Sequence, residues 1–204
     1  NFSVSLKIMI KVLKSVLFLF VINSYAQELN TEYWEFKKNL LKSKTDLIIE
    51  FKTDCIGGEY ISFEEAEDCV YARPFYIFWL KGGEYYKRKF SNCDVFKTVE
   101  MEKSELLQTS ISKMDEINKA EILPVIHTSE KNENGEIETV EMDIDHFCES
   151  KFIFHSQNAK IIKTVNHFYL ETEMLDEKLS NDNYEKNQRS ILNTLFKLIE
   201  KETQ

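Results

Sequence analysis

The stretch EMDIDHFC brings Glu141, Asp143, Asp145, His146 and Cys148, all competent metal ligands, within eight residues. Read as a strand, its alternation sends Glu141, Asp143 and Asp145 to one face, and His146 and Cys148 to the other with Val140, Met142 and Ile144. One ion cannot engage both sets. Three carboxylates on a flat face attract a hard cation but lack the oxygen cage that calcium takes from a loop, so a solvated acidic face is expected and no metal is assigned. His146 and Cys148 have the types of a base and its nucleophile, or of two zinc ligands awaiting a third. A core histidine with satisfied hydrogen bonds beside a disulfide is the expected role instead.

The remaining histidines offer no local motif. His127 falls near Pro124 at a loop, His155 and His167 fall on predicted strands, and no two have the i,i+4 helical spacing of a zinc protease. G-x-S-x-G, P-loop and dinucleotide fingerprints are absent, and Gly57-Gly58, Gly82-Gly83 and Gly135 all suit turns, so no cofactor is expected. In KGGEYYKRKF, Lys81, Lys87, Arg88 and Lys89 alternate with Tyr85, Tyr86 and Phe90, a mixture able to grip single-stranded nucleic acid. It reads more simply as a strand leaving a glycine turn, with Lys87 and Lys89 on one face and Arg88 on the other.

Charge and cysteines set the context. The 204 residues carry a formal charge of −9. Lys11 and Lys14 precede the apolar run Val16 to Ile22, too short to span a bilayer, and Ser24-Tyr25-Ala26 supplies small residues for signal cleavage. Residues 1–26 are therefore read as an export signal, with Met9 as the true start and no membrane anchor after cleavage. Three of the 26 basic residues and none of the 35 acidic ones precede Gln27, which leaves 23 against 35, or −12, on the remainder. Such a charge disfavours nucleic acid and anionic membranes, and suits a basic protein partner. Cys55, Cys69, Cys93 and Cys148 form an even set without a C-x-x-C pair, which predicts two structural disulfides. Three pairings exist; the layout favours Cys55 with Cys69, around a glycine-containing fold-back, and Cys93 with Cys148.

Periodicity supplies the elements. EYWEFKKNLLKSK follows helical spacing, and DLIIEFKT reads as a strand ending near Cys55. RPFYIFWLKGGEYYKRKF reads as a hairpin whose first strand is apolar on both faces and therefore central in its sheet, with a further strand in DVFKTVEM. Ser104 caps a predicted helix with a Leu107, Ile111, Met114, Ile117 stripe. Two strands are expected across SEKNENGEIETVEMDIDHFCESKFIFH, NAKIIKTVNHFYLE continues the sheet, and NYEKNQRSILNTLFKLIEKE makes a last amphipathic helix.

Segregated helices and hairpins predict one α+β domain over residues 27–204: a mainly antiparallel sheet covered by about three amphipathic helices. The expected function is an exported, non-enzymatic binding or accessory domain that recognises a basic protein. The competing reading is an exported hydrolase or metal enzyme using His146 and Cys148, or the Glu141, Asp143, Asp145 ladder.

Overall fold

The computed structural model describes residues 32–56, 74–91, 96–129, 131, 134–156, 159–175 and 179–204. The predicted export signal, Cys69 and Cys93 lie outside these described residues. The fold is α+β, as the segregated pattern predicts.

The sheet grows from the hairpin. β2 (Phe75–Lys81) and β3 (Glu84–Phe90) pair antiparallel with Lys81 opposite Glu84, so only Gly82 and Gly83 make the turn. Their φ values of +62° and +88° are the left-handed conformations that a two-residue turn matching the sheet twist requires. β1 (Leu47–Ile56) pairs with β2, and β4 (Val99–Met101) pairs with β3. β7 (Phe147–Ser156) lies along the other side of β1, from Leu47 opposite Ser156 to Ile56 opposite Phe147, and β8 (Lys160–Asn166) pairs with β7. The resulting six-stranded order is β4-β3-β2-β1-β7-β8; β5 (Val125–Thr128) and β6 (Thr139–Met142) form a separate two-stranded sheet. His127 therefore belongs to strand β5, where a loop was expected.

Alternation along the strands builds one core on each face of the large sheet. Leu47, Ile49, Phe51, Phe78, Phe152 and Phe154 meet the helices of one side. Ile48, Ile77, Trp79 and Phe90 meet α1 (residues 32–42) on the other, through Tyr33, Phe36 and Leu40. The two-sided burial expected of β2 is present, since neighbouring Ile77 and Phe78 are both fully buried but in different cores. The basic cluster on β3 serves this packing. Arg88 pairs with Glu32 and lies over the rings of Phe36 and Phe90, while Lys87 donates to the carbonyl of Glu202 on the opposite side.

The first core is covered by α2 (Glu105–Ser112), α3 (Met114–Lys119) and α6 (Ile191–Thr203), with α4 (His167–Glu171) and α5 (Tyr184–Arg189) beside them. Among the described residues six helical segments thus stand where about three amphipathic helices were expected, and polar capping explains two of the breaks. Ser190 adopts an extended ψ of 142° and its Oγ accepts from Leu192 N, so the predicted last helix stops and restarts there. Asn166 likewise accepts from Tyr169 N, ending the sheet and turning HFYLE into α4; His167 opens a helix instead of continuing a strand. At Lys113 the backbone leaves the helical region, separating α2 from α3, and Ile111 of the predicted stripe is 47% exposed while Leu107 and Ile117 are fully buried. Ser104 caps α2 as expected, accepting from Leu107 N, and Glu202 of α6 completes the cap across 96 residues by accepting from Leu106 N. A serine cap of this kind contributes about 1 kcal/mol.

Buried carboxamides fasten the smaller sheet. Asn187 bonds both the N–H and the carbonyl of Leu123, Asn183 donates to Pro124, and Asn181 accepts from Ile126 N.

Candidate functional site

EMDIDHFC does not form one strand. Met142 pairs with Val125 in the small sheet and Cys148 with Cys55 in the large one, so the chain must cross between sheets from 143 to 146. Glu141 stays on β6, Asp143, Asp145 and His146 lie in the crossing, and all four are exposed. The single-face carboxylate ladder is thereby broken up, and His146 is a surface residue, not the expected core histidine. Among the described residues no three His, Cys, Asp or Glu side chains gather in a group that could hold a metal.

Cys148 is bonded to Cys55, its register partner, with the Cα atoms 4.0 Å apart. The favoured pairing of Cys55 with Cys69 and Cys93 with Cys148 is therefore corrected. A cross-strand neighbour outranks a neighbour in sequence because β1 and β7 hold the two cysteines side by side whatever the intervening chain does. A disulfide sulfur is not a thiolate, so the His146–Cys148 nucleophile of the competing reading is not available either.

Beside the disulfide, Thr53 and Ser150 share a hydroxyl hydrogen bond of 2.7 Å, and Ser150 Oγ lies 2.8 Å from Nε2 of His167. Those are the types and spacing of a hydroxyl nucleophile and its base. Ser150 is fully buried and the His167 ring packs edge-on against Phe196, so the chain of bonds faces the core and satisfies its polar groups.

On the opposite face of the sheet stands a constellation that local sequence reasoning missed. Glu50, in the middle of β1, is 6% exposed and shares its face with Ile48 and Lys52. Its Oε2 accepts from Lys37 Nζ at 2.8 Å and from the Tyr33 hydroxyl, both one turn apart on α1, and its Oε1 bonds Nε2 of His155 on β7. Burial alone would raise the pKa of Glu50. The bonds from His155, Lys37 and Tyr33, with the charge of Lys37, outweigh it and lower the value from 4.5 to about 2. Burial, and then the bond to Glu50, push the Tyr33 phenol upward. The local signal was a lone charge inside the apolar run LIIEF; its partners come from another helix and another strand.

Next to this carboxylate, α1 overhangs the sheet and leaves a pocket of about 310 Å³. Tyr33, Trp34, Phe75 and Ile153 contribute apolar surface, Glu50 and Lys37 lie at its inner end, and Lys52 and Lys151 also line it. Tyr33 meets Phe75 edge-on at 4.7 Å, while Lys37 sits 5.1 Å from the centre of the Trp34 ring, so the wall is preorganised. Trp34 nevertheless remains 56% exposed. A depression of about 400 Å³ near Ile111 and Lys113 is built from one short stretch at the α2–α3 break and converges on no paired groups.

Fold and site together define an α+β sheet domain with one helix roofing an aromatic pocket on one face and a helical layer on the other. Comparison with protein-family models, with curated proteins and with solved structures gives no match to this chain.

Proposed function

We propose that this chain is an exported binding domain without catalytic chemistry of its own, and that the pocket beneath α1 receives its ligand. The observation that carries the reading is the pocket's composition: an exposed tryptophan and other apolar side chains around a carboxylate whose hydrogen bonds are already taken by Tyr33, Lys37 and His155. Apolar walls with few fixed polar groups suit recognition. Glu50 bound in this way is held as a carboxylate, too acidic to serve as a general base near neutral pH. Export fits the disulfide and the leader-like residues 1–26, and no helix among the described residues is long and apolar enough to cross a membrane.

The uncharged probe 2-naphthalenemethanol tests the pocket. Titration is expected to change tryptophan fluorescence saturably, shift the NMR signals of Tyr33, Trp34 and Phe75, and weaken about tenfold in Trp34→Ala, the loss typical of removing an aromatic contact. Shifts elsewhere, or none, would remove the reading.

A second reading, recognition of a basic protein, draws on the β5–β6 arm. Glu136, Glu138, Glu141, Asp143 and Asp145 are exposed there beside Ile137 and Val140, which are 58% and 47% exposed. Acidic groups around apolar ones suit a partner with alternating lysines and apolar residues. A peptide of that composition is expected to bind at low salt, release as salt rises, and lose affinity when Glu138, Glu141 and Asp143 become amides. Binding that ignores those changes would place the partner elsewhere.

A further inference from the structure

We propose that the pocket beneath α1 selects an anion: a small molecule with a compact apolar or aromatic body and one carboxylate, seated between Lys52 and Lys151. The inference rests on the pocket being a binding site and adds the class of ligand it takes.

Lys52 and Lys151 are direct cross-strand partners in the β1–β7 register. Their Cβ atoms are therefore about 5 Å apart on one face, an arrangement of like charges that weakens a sheet. The next two positions inward on the same face pair Glu50 with Ile153 and Ile48 with His155, so neither repeats the like-charged arrangement. One strand position outward, Asp54 opposes Glu149, a like pair of the other sign. Lys52 pairs with Asp54, both well exposed at 50% and 66%. Lys52 and Lys151 both line the pocket, but neither Lys151 nor Glu149 has an ion-pair partner among the described residues.

The inner end of the pocket does not oppose an anion. Glu50 is a carboxylate, but Lys37 lies 2.8 Å from it and offsets its charge, and His155 and Tyr33 take two more of its about four acceptor directions. Lys151, without an ion-pair partner among the described residues, thus offers the pocket's available cation, with Lys52 beside it already shared with Asp54. A carboxylate there accepts from the Lys151 ammonium and competes with Asp54 for that of Lys52, while the body attached to it lies against Trp34 and Phe75. A cation would meet Lys52 and Lys151 at the entrance. A neutral molecule would bind the walls without engaging either lysine's charge.

Three probes of nearly one shape separate these cases: 2-naphthoate, 2-naphthalenemethanol and 2-naphthylmethylamine, titrated into the full chain by calorimetry. The acid is expected to bind about tenfold more tightly than the alcohol at low salt, as a charge-assisted bond allows, with the advantage shrinking as salt is added. Lys151→Gln should abolish the preference and leave the alcohol unaffected. Lys52→Gln should reduce it, which keeps the test available if the first variant does not fold by circular dichroism. Equal binding of acid and alcohol, tighter binding of the amine, or a preference that survives in a folded Lys151→Gln would overturn the anion class while leaving the pocket as a site. Binding of none of the three would overturn the pocket reading itself.

Discussion

Replacing both Cys55 and Cys148 by serine is expected to cost about 4.6 kcal/mol of stability in the chain-entropy model, because the bond closes a loop with a sequence separation of 93. The double replacement avoids leaving one unpaired thiol to exchange with other cysteines. The native contacts hardly change, since β1 and β7 still pair along their length and the Thr53–Ser150 bond still fastens them next to the removed bridge. The loss therefore arises mainly in the unfolded ensemble, which gains the freedom that the link denied it. Urea unfolding followed by circular dichroism is the measurement. A midpoint close to that of the parent protein would mean that the bridge does not restrain the unfolded chain, and a non-reducing peptide map that fails to join Cys55 with Cys148 would remove the premise.

Removing the charge of Glu50 should cost nearly as much. Glu50→Gln leaves Lys37 and His155 facing an amide at side-chain exposures of only 14% and 12%, and breaking a buried pair from one side typically costs about 3 kcal/mol. The exposed Glu35→Gln on the same helix is the control and should stay within about 0.5 kcal/mol of the parent. The pH dependence follows from the direction of the shift. A carboxyl whose folded pKa is about 2 and whose ordinary value is 4.5 binds its proton more readily unfolded. Its contribution is fully present above about pH 4.5 and drains away as the pH falls toward 2. Denaturation midpoints of the parent protein and Glu50→Gln should therefore converge over that interval. Curves that stay parallel from neutral pH to pH 2 would show that the carboxylate gains nothing from its three partners.

The contrast between what could be read from the sequence and what could not is a contrast of range. The β2–β3 hairpin was legible because Gly82-Gly83 and the apolar run before it act within a few residues, and Ser104 announced its helix for the same reason. The breaks at Ser190 and Asn166 are locally encoded too, by side chains that prefer to cap, a preference that hydrophobic periodicity does not register. Strand pairing is another matter. Nothing near Cys55 says that its neighbour will be Cys148, and Glu50 meets Lys37 and His155 only after α1, β1 and β7 have come together. The acidic residues near His146 show the complementary limit: alternation holds only within one strand, and this stretch spans the point where the chain changes sheets.

The strand order also bears on how such a sheet can be assembled. β1 through β4 pair with neighbours in sequence, across separations far smaller than that between β1 and β7, so these contacts can form while much of the chain is still random. β7 cannot join β1 until nearly a hundred residues have been gathered in, and β8 waits on β7. During that interval the long flank of β1 displays unpaired peptide groups and the inner faces of Ile49 and Phe51, the surface on which chains in mutual contact aggregate. The late arrival of one strand thus sets the period in which the newly made chain is most exposed to its neighbours, and the bridge between Cys55 and Cys148 is the covalent mark that the period has ended.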